Sequence, residues 1–179
     1  MPDSLIPDNK LVIAVSSCLL GERVRYDGKE KFSEDIECLR DSNIDLISIC
    51  PEVAIGLSVP RPALQVVNIE GHLKVRGVKN PEKDVTQALL DYAQTIMETY
   101  PHLCGYIFKA RSPSCGVSDT PVVSLQGDEL SKGSGLFAKY IIEHCHFPVV
   151  DENGLRTPEQ RAEFLAAVSR YSQRIADIK

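Results

Sequence analysis

Short, strongly apolar runs alternate with amphipathic helical stretches along this chain, and that alternation constrains the fold more than any other feature. Leu11-Val12-Ile13-Ala14-Val15 has no polar residue to turn toward water, so it reads as a strand covered on both faces. Ile44 to Ile49, Gly105 to Ala110 and Phe147 to Val150 are further short runs bounded by loop residues. Between them lie segments with helical spacing. The clearest runs from about Pro81 to Tyr100, where Val85, Leu89, Tyr92, Ala93, Ile96 and Met97 share one face and Pro81 suits the first turn. Others are expected from Ser33 to Arg40, with Ser33 as N-cap, and from about Ser134 to His144, with Ser134 as N-cap. The last, about 158–176, is opened by the capping box Thr157-Pro158-Glu159-Gln160.

Strands separated by helices are the signature of βαβ units. The expected fold is α/β: single-domain, Rossmann-like and doubly wound, with a mostly parallel sheet of about four strands and flanking helices. Leu64 to Ile69 and Leu73 to Val75, joined through Glu70-Gly71-His72, read as a small β-hairpin insertion. The 179 residues are read as one domain, 1–179, with the C-terminal helix packed on it.

A formal net charge of -5 argues against broad, non-specific binding to nucleic acid. A local basic patch is compatible with an RNA substrate such as tRNA: Arg61, Lys74, Arg76 and Lys79 face only Glu70 in the stretch 61–79, and Arg23 to Lys31 adds more basic residues. A solvated hairpin is the plainer reading of that stretch. The first apolar run is too short for a signal-peptide core or a membrane helix, and it follows an acidic segment with Asp3 and Asp8. The chain is therefore read as cytoplasmic, with no membrane partner and no obligate protein partner evident. Six cysteines in such a compartment do not form a disulfide framework.

Three of the six stand apart from the rest. Cys18 lies just past the first strand, Cys50 ends the second, and Cys115 sits in the loop after the third. Parallel strands bring all three to one edge of the sheet, where such folds bind ligands. Cys38, Cys104 and Cys145 read as packed or incidental thiols, and His144 and His146 beside Cys145 as partners of a helix end. Soft thiolates select zinc, Cu(I) or iron–sulfur clusters. A structural zinc site wants four closed ligands with paired spacing, which is absent here, whereas three thiolates on a four-iron cluster leave one iron open as a Lewis acid. Cys50-Pro51 also echoes the Cys-Pro of ferredoxin cluster ligands.

Around these cysteines, Glu52 reads equally as a general acid/base or as a charge at a helix N-terminus. Ser112 and Ser114 bracket Pro113, as substrate or water ligands or as turn formers. Lys109, Arg111 and Arg61 would add positive charge. Gly21, Gly28 and Gly116 read as permissive backbone positions, and no Walker or G-x-G-x-x-G fingerprint occurs.

Ser16-Ser17-Cys18-Leu19-Leu20-Gly21 with Tyr26-Asp27-Gly28, Ile49-Cys50-Pro51-Glu52 with Gly56-Leu57 and Pro60-Arg61, and Ser112-Pro113-Ser114-Cys115-Gly116 together resemble the thiouracil desulfidase family. The resemblance covers nearly the whole chain. It implies a 4Fe-4S cluster held by Cys18, Cys50 and Cys115, with Glu52 and Ser112 as the catalytic pair. It further implies non-redox removal of sulfur from a thiouracil-type base; short members are similar to enzymes that convert 4-thiouridine, free or in tRNA, to uridine. Two other readings stand beside it. One is a zinc hydrolase or deaminase built on the same cysteines, the other a non-catalytic cluster carrier or redox sensor.

Overall fold

A computed structural model describes residues 10–177; the acidic opening stretch with Asp3 and Asp8 and the last two residues lie outside it. Strand β1 (Leu11–Ser16) is flanked by β2 (Ile44–Ile49) and β5 (Leu103–Phe108), and β8 (Val149–Asp151) closes the far side. All pairings in this sheet are parallel, in the order β2-β1-β5-β8. The chain winds to one side of β1 and then returns to its other side, so the winding reverses between β1 and β5. A crevice opens at the carboxyl ends of strands at such a switch point.

The two faces of β1 explain its unbroken apolar run. Val12 and Ala14 pack with Leu89, Ala93 and Ile96 of helix α3 (Thr86–Thr99) and with Phe137 and Ile141 of α4 (Leu136–His144). Ile13 and Val15 point the other way. They pack with Ile36 of the short α1 (Glu34–Glu37) and with Phe164 and Val168 of α5 (Pro158–Ala176). Neither face of the strand meets water, so neither tolerates a polar residue. Thr157 caps α5 as expected, accepting from the Gln160 amide while the Gln160 side chain accepts from the Thr157 amide.

The hairpin of β3 (Leu64–Ile69) and β4 (His72–Gly77) is half of a second sheet. Strands β6 (Thr120–Val123) and β7 (Glu129–Gly133) complete it in the order β4-β3-β6-β7. Its inner residues Val66, Val75 and Val122 join the core that contains α3 and α4. No strand was expected at 120–133. Strand β6 is short and carries Pro121, and β7 is an edge strand with almost every residue exposed, so neither shows the alternation that marks a half-buried strand.

Element ends also differ from expectation, α1 (Glu34–Glu37) being shorter than 33–40 and β8 shifted to Val149–Asp151. Strand β5 begins at Leu103, so Cys104 lies within a buried strand. Helix α4 is capped by Gly135, while the Ser134 hydroxyl donates to the Val117 carbonyl. Helix α3 starts at Thr86, not Pro81, because the preceding residues are drawn onto β4: the Gly77 amide donates to Lys83 O and the Val85 amide to Val75 O.

Asp84 then serves the helix start. Its Oδ1 accepts from the Thr86 amide at 2.9 Å and its Oδ2 takes the Arg76 guanidinium. Partial burial opposes ionisation, but the hydrogen bonds to Thr86 and the Arg76 guanidinium hold the carboxyl below its usual value. Asp84→Ala should cost about 1 kcal/mol at neutral pH. A depressed folded-state pKa contributes stability above the unfolded value and loses it as pH falls through the folded one. The gap between wild type and variant in urea unfolding should therefore close in acid.

Candidate active site

Each of the three strand-end cysteines is placed by the backbone that follows its strand. Cys18 lies in a 3₁₀ turn, Ser17–Leu20, directly after β1. Cys50 leaves β2 and caps α2 (Pro51–Ala54), whose first residues are Pro51 and Glu52. Cys115 lies in the loop after β5. All three line one cleft of about 570 Å³ at the carboxyl edge of the parallel sheet, together with Glu52, Arg61, Lys109, Arg111 and Ser112. Cys38 is exposed, Cys104 is buried and Cys145 is half-buried, and none of them lines the cleft.

The electrostatics of the thiols follow from their seclusion. Burial pushes Cys18 up to about 11, with the Lys109 ammonium opposing and Cys50 adding to the rise. Burial likewise raises Cys50, and it raises Cys115 well above the usual thiol value, where Cys50 and Glu52 add their charge. Burial is the largest cause in all three, so their ionised forms are disfavoured until a cation takes them. Metal binding does this, releasing protons as thiolates form. Among the described residues, no group of three His, Cys, Asp or Glu side chains converges closely enough to hold a single metal ion. Three thiolates are the cysteine complement of a four-iron cluster with one open iron and one ligand short of a closed structural zinc site, so the donor set fits a cluster.

Glu52 projects into the cleft from a helix of a single turn and is 8% exposed. Its Oε2 accepts from Arg61 Nε at 2.7 Å and its Oε1 from Ser114 Oγ at 2.8 Å. Ser112 does something different. Its Oγ accepts from the amides of Ser114 at 3.2 Å and Cys115 at 3.0 Å, so it organises the turn that carries the third cysteine. With both bonds accepted, the Ser112 hydroxyl proton is left to donate into the cleft.

Two acidic residues outside the sequence motifs hold the far wall. Glu152, at the start of the 3₁₀ turn after β8, pairs with Lys109 and accepts from the Ala110 amide at 2.6 Å. Asp119 accepts from the Arg111 amide at 2.9 Å, across a residue whose φ of 61° is unusual for a side chain of this size. Ser16 Oγ accepts from the Lys109 amide. Glu152 follows the fourth strand at the same sheet edge, so the strand-end rule that singled out the cysteines also pointed there; Asp119 gave no such signal.

Glycine spacing shapes the same loop. Gly21 and Gly28 have positive φ, as permissive positions should, but Gly116 does not. Gly116 is required for room, because a Cβ there would lie 1.7 Å from Thr120 Oγ1. At Gly135 a Cβ would meet backbone, Ser114 C at 2.5 Å and Ser112 O at 2.7 Å. Gly135→Ala should therefore lower stability by about 1–3 kcal/mol in thermal or urea unfolding and distort the Ser112–Cys115 turn.

This fold and cleft define a class: an α/β protein with two buried thiols, a half-buried third and an ion-paired glutamate at the switch point of a parallel sheet. The model of the 2-thiouracil desulfurase family matches residues 13–153, and the chain belongs to that family. The matched span contains Cys18, Cys50, Glu52, Arg61, Ser112, Cys115 and Glu152. A solved structure, described as the 4Fe-4S-dependent thiouracil desulfidase TudS, superposes with a TM-score of 0.67 at 28% identity, covering 88% of this chain and 99% of that one. YbbK of Bacillus subtilis (strain 168), an uncharacterized protein, is 30% identical over 150 residues, which is 80% of this chain and 97% of YbbK.

Proposed function

We propose that this chain removes sulfur from a thiouracil-type base, hydrolytically and without net redox change, at a 4Fe-4S cluster held by Cys18, Cys50 and Cys115. The observation that carries the reading is the gathering of three secluded thiols, Cys18 and Cys115 buried and Cys50 half-buried, beside Glu52 in one cleft. The family and the desulfidase neighbour support it from outside. Bound there, a cluster ligated by three cysteines supplies an open Lewis-acidic iron for the thiocarbonyl sulfur.

The chain's own residues would supply the proton chemistry. Glu52, held as one partner of an ion pair, takes a proton from water as the water oxygen attacks the ring carbon. Ser112 donates its free proton to orient that water or the base. The reaction balances without electrons: the thiocarbonyl and water give the carbonyl and hydrogen sulfide, the latter leaving as hydrosulfide and a proton.

The finer substrate is 4-thiouridine, as the nucleoside or within tRNA. Strand β4, the outer strand of the second sheet, carries Lys74 and Arg76, with Lys79 just beyond, and such a patch suits an RNA backbone. Arg76 is already engaged by Asp84, which leaves the two lysines as the phosphate contacts of that reading. We place the protein in the cytoplasm. Six free cysteines suit a reducing compartment, and no helix among the described residues is long and apolar enough to cross a membrane.

Anaerobic purification and reconstitution test the reading. Iron and sulfide are counted while loss of 4-thiouridine absorbance is followed, for free nucleoside and for thiolated tRNA. About four irons per chain with cluster-dependent formation of uridine is the expected result. Zinc without iron would overturn it, and a cluster without turnover would move the assignment to a carrier.

A further inference from the structure

The catalytic carboxylate of the proposed reaction is held by a side chain that the reaction itself does not require. Arg61 is 8% exposed, and its guanidinium spends Nε on Glu52 Oε2 at 2.7 Å and Nη1 on the Ser58 carbonyl at 3.2 Å. Its backbone amide donates to Tyr26 O at 2.9 Å. On the other side of Glu52, Ser114 is fully buried; its hydroxyl donates to Oε1, while its amide is held by Ser112 Oγ.

Glu52 needs this support. It leaves the backbone on a single helical turn next to a cluster-ligand position, and a glutamate has several side-chain torsions that one turn of helix does not restrict. Two hydrogen bonds from opposite sides, one of them charged, fix both the position and the plane of the carboxylate. They also tie together three segments that line the cleft, Cys50–Glu52, Ser58–Arg61 and Ser112–Cys115, while the Arg61 backbone amide adds the Tyr26 turn.

We propose that Arg61, acting with Ser114, is a positioning residue that fixes the Glu52 carboxylate at the cleft wall and so keeps the Cys50 and Cys115 segments locked to each other. The proposal rests on the desulfidase reading for its kinetic part and on geometry alone for its structural part. Displacing a reacting group by about an ångström costs on the order of 100-fold in rate. The cost falls on the chemical step and not on substrate binding, because Arg61 is turned to Glu52.

Four variants test it: Arg61→Gln, Arg61→Lys, Glu52→Gln, and Glu52→Gln combined with Arg61→Gln, which with the two glutamine singles closes a cycle. With the cluster reconstituted to wild-type iron content, R61Q should turn over about 10- to 100-fold more slowly, with KM for 4-thiouridine unchanged within about twofold. R61K keeps a charge but not the fork, and should recover part of that rate. The second readout is melting temperature, which needs no activity. Removing one partner of a buried pair strands the other charge, so R61Q should melt about 10 °C lower. The E52Q/R61Q double variant, which strands neither charge, should melt above R61Q.

Melting losses that simply add would overturn the proposal, as would an R61Q enzyme whose defect lies in KM alone or that shows no defect. If R61Q does not fold, R61K carries the kinetic readout; an E52Q/R61Q variant that folds where R61Q does not gives the coupling, and one that also fails to fold would overturn the proposal. Should the wild-type protein desulfurate nothing, the functional reading fails, yet the melting cycle still decides whether Arg61 locks Glu52.

Discussion

Cys18→Ala, Cys50→Ala and Cys115→Ala are each expected to abolish cluster assembly and desulfuration, while Cys38→Ala and Cys145→Ala leave both intact. The physical basis is the cost of an incomplete site. Burial disfavours the ionised form of each thiol, so ligation must overcome the cost of ionising each one. A cluster that gains all three thiolates offsets that cost; a cluster that gains two has an unprotected second iron and less binding energy to hold it. Iron per chain after anaerobic reconstitution should fall from about four to below about one in the three cleft variants. The controls matter because Cys38 and Cys145 are of the same chemical type but lie away from the cleft. If any cleft variant assembles a full cluster and turns over at the wild-type rate, that residue is not a ligand.

Glu52→Gln should separate chemistry from assembly. Glutamine keeps the shape, its one oxygen can accept from Arg61 while its amide donates to Ser114 Oγ, but it cannot take a proton from water. Turnover should fall by about 10²- to 10⁴-fold with iron and sulfide content unchanged. A cluster carrier has no use for a base in the cleft, so its iron transfer would be untouched by the substitution. The measurement is single-turnover loss of 4-thiouridine under anaerobic conditions, paired with the visible absorbance of the cluster. Full activity in this variant would remove Glu52 from the base role and turn attention to Ser112, whose hydroxyl also lines the cleft.

How much of this was legible in advance depended on whether the signal was local. The α/β class, the four parallel strands and the capping box of α5 were readable because apolar periodicity and turn chemistry are written in consecutive residues. Strands β6 and β7 were not, because an exposed edge strand such as Glu129–Gly133 buries neither face and leaves no pattern. The start of α3 was misplaced for a related reason: Pro81 is a fair helix opener by itself, but hydrogen bonds to Val75 and Gly77, on a different strand, claim the residues after it.

The same division runs through the site. Strand ends can be counted along the chain, and in a parallel sheet they all face one edge, so Cys18, Cys50 and Cys115 were marked out together by sequence alone. Which serine bonds to Glu52 was not written there. Ser112 and Ser114 differ by two positions, and only the folded loop shows that Ser114 donates to the carboxylate while Ser112 accepts from the amides around Cys115. The Arg61 pairing and the Glu152 clasp on Lys109 likewise appear only in three dimensions. The sequence by itself determined the class of fold and the edge where the thiols gather, because covalent order and burial period impose both. Tertiary structure alone decided the partner of each buried charge, because that choice follows from distances between segments far apart in the chain.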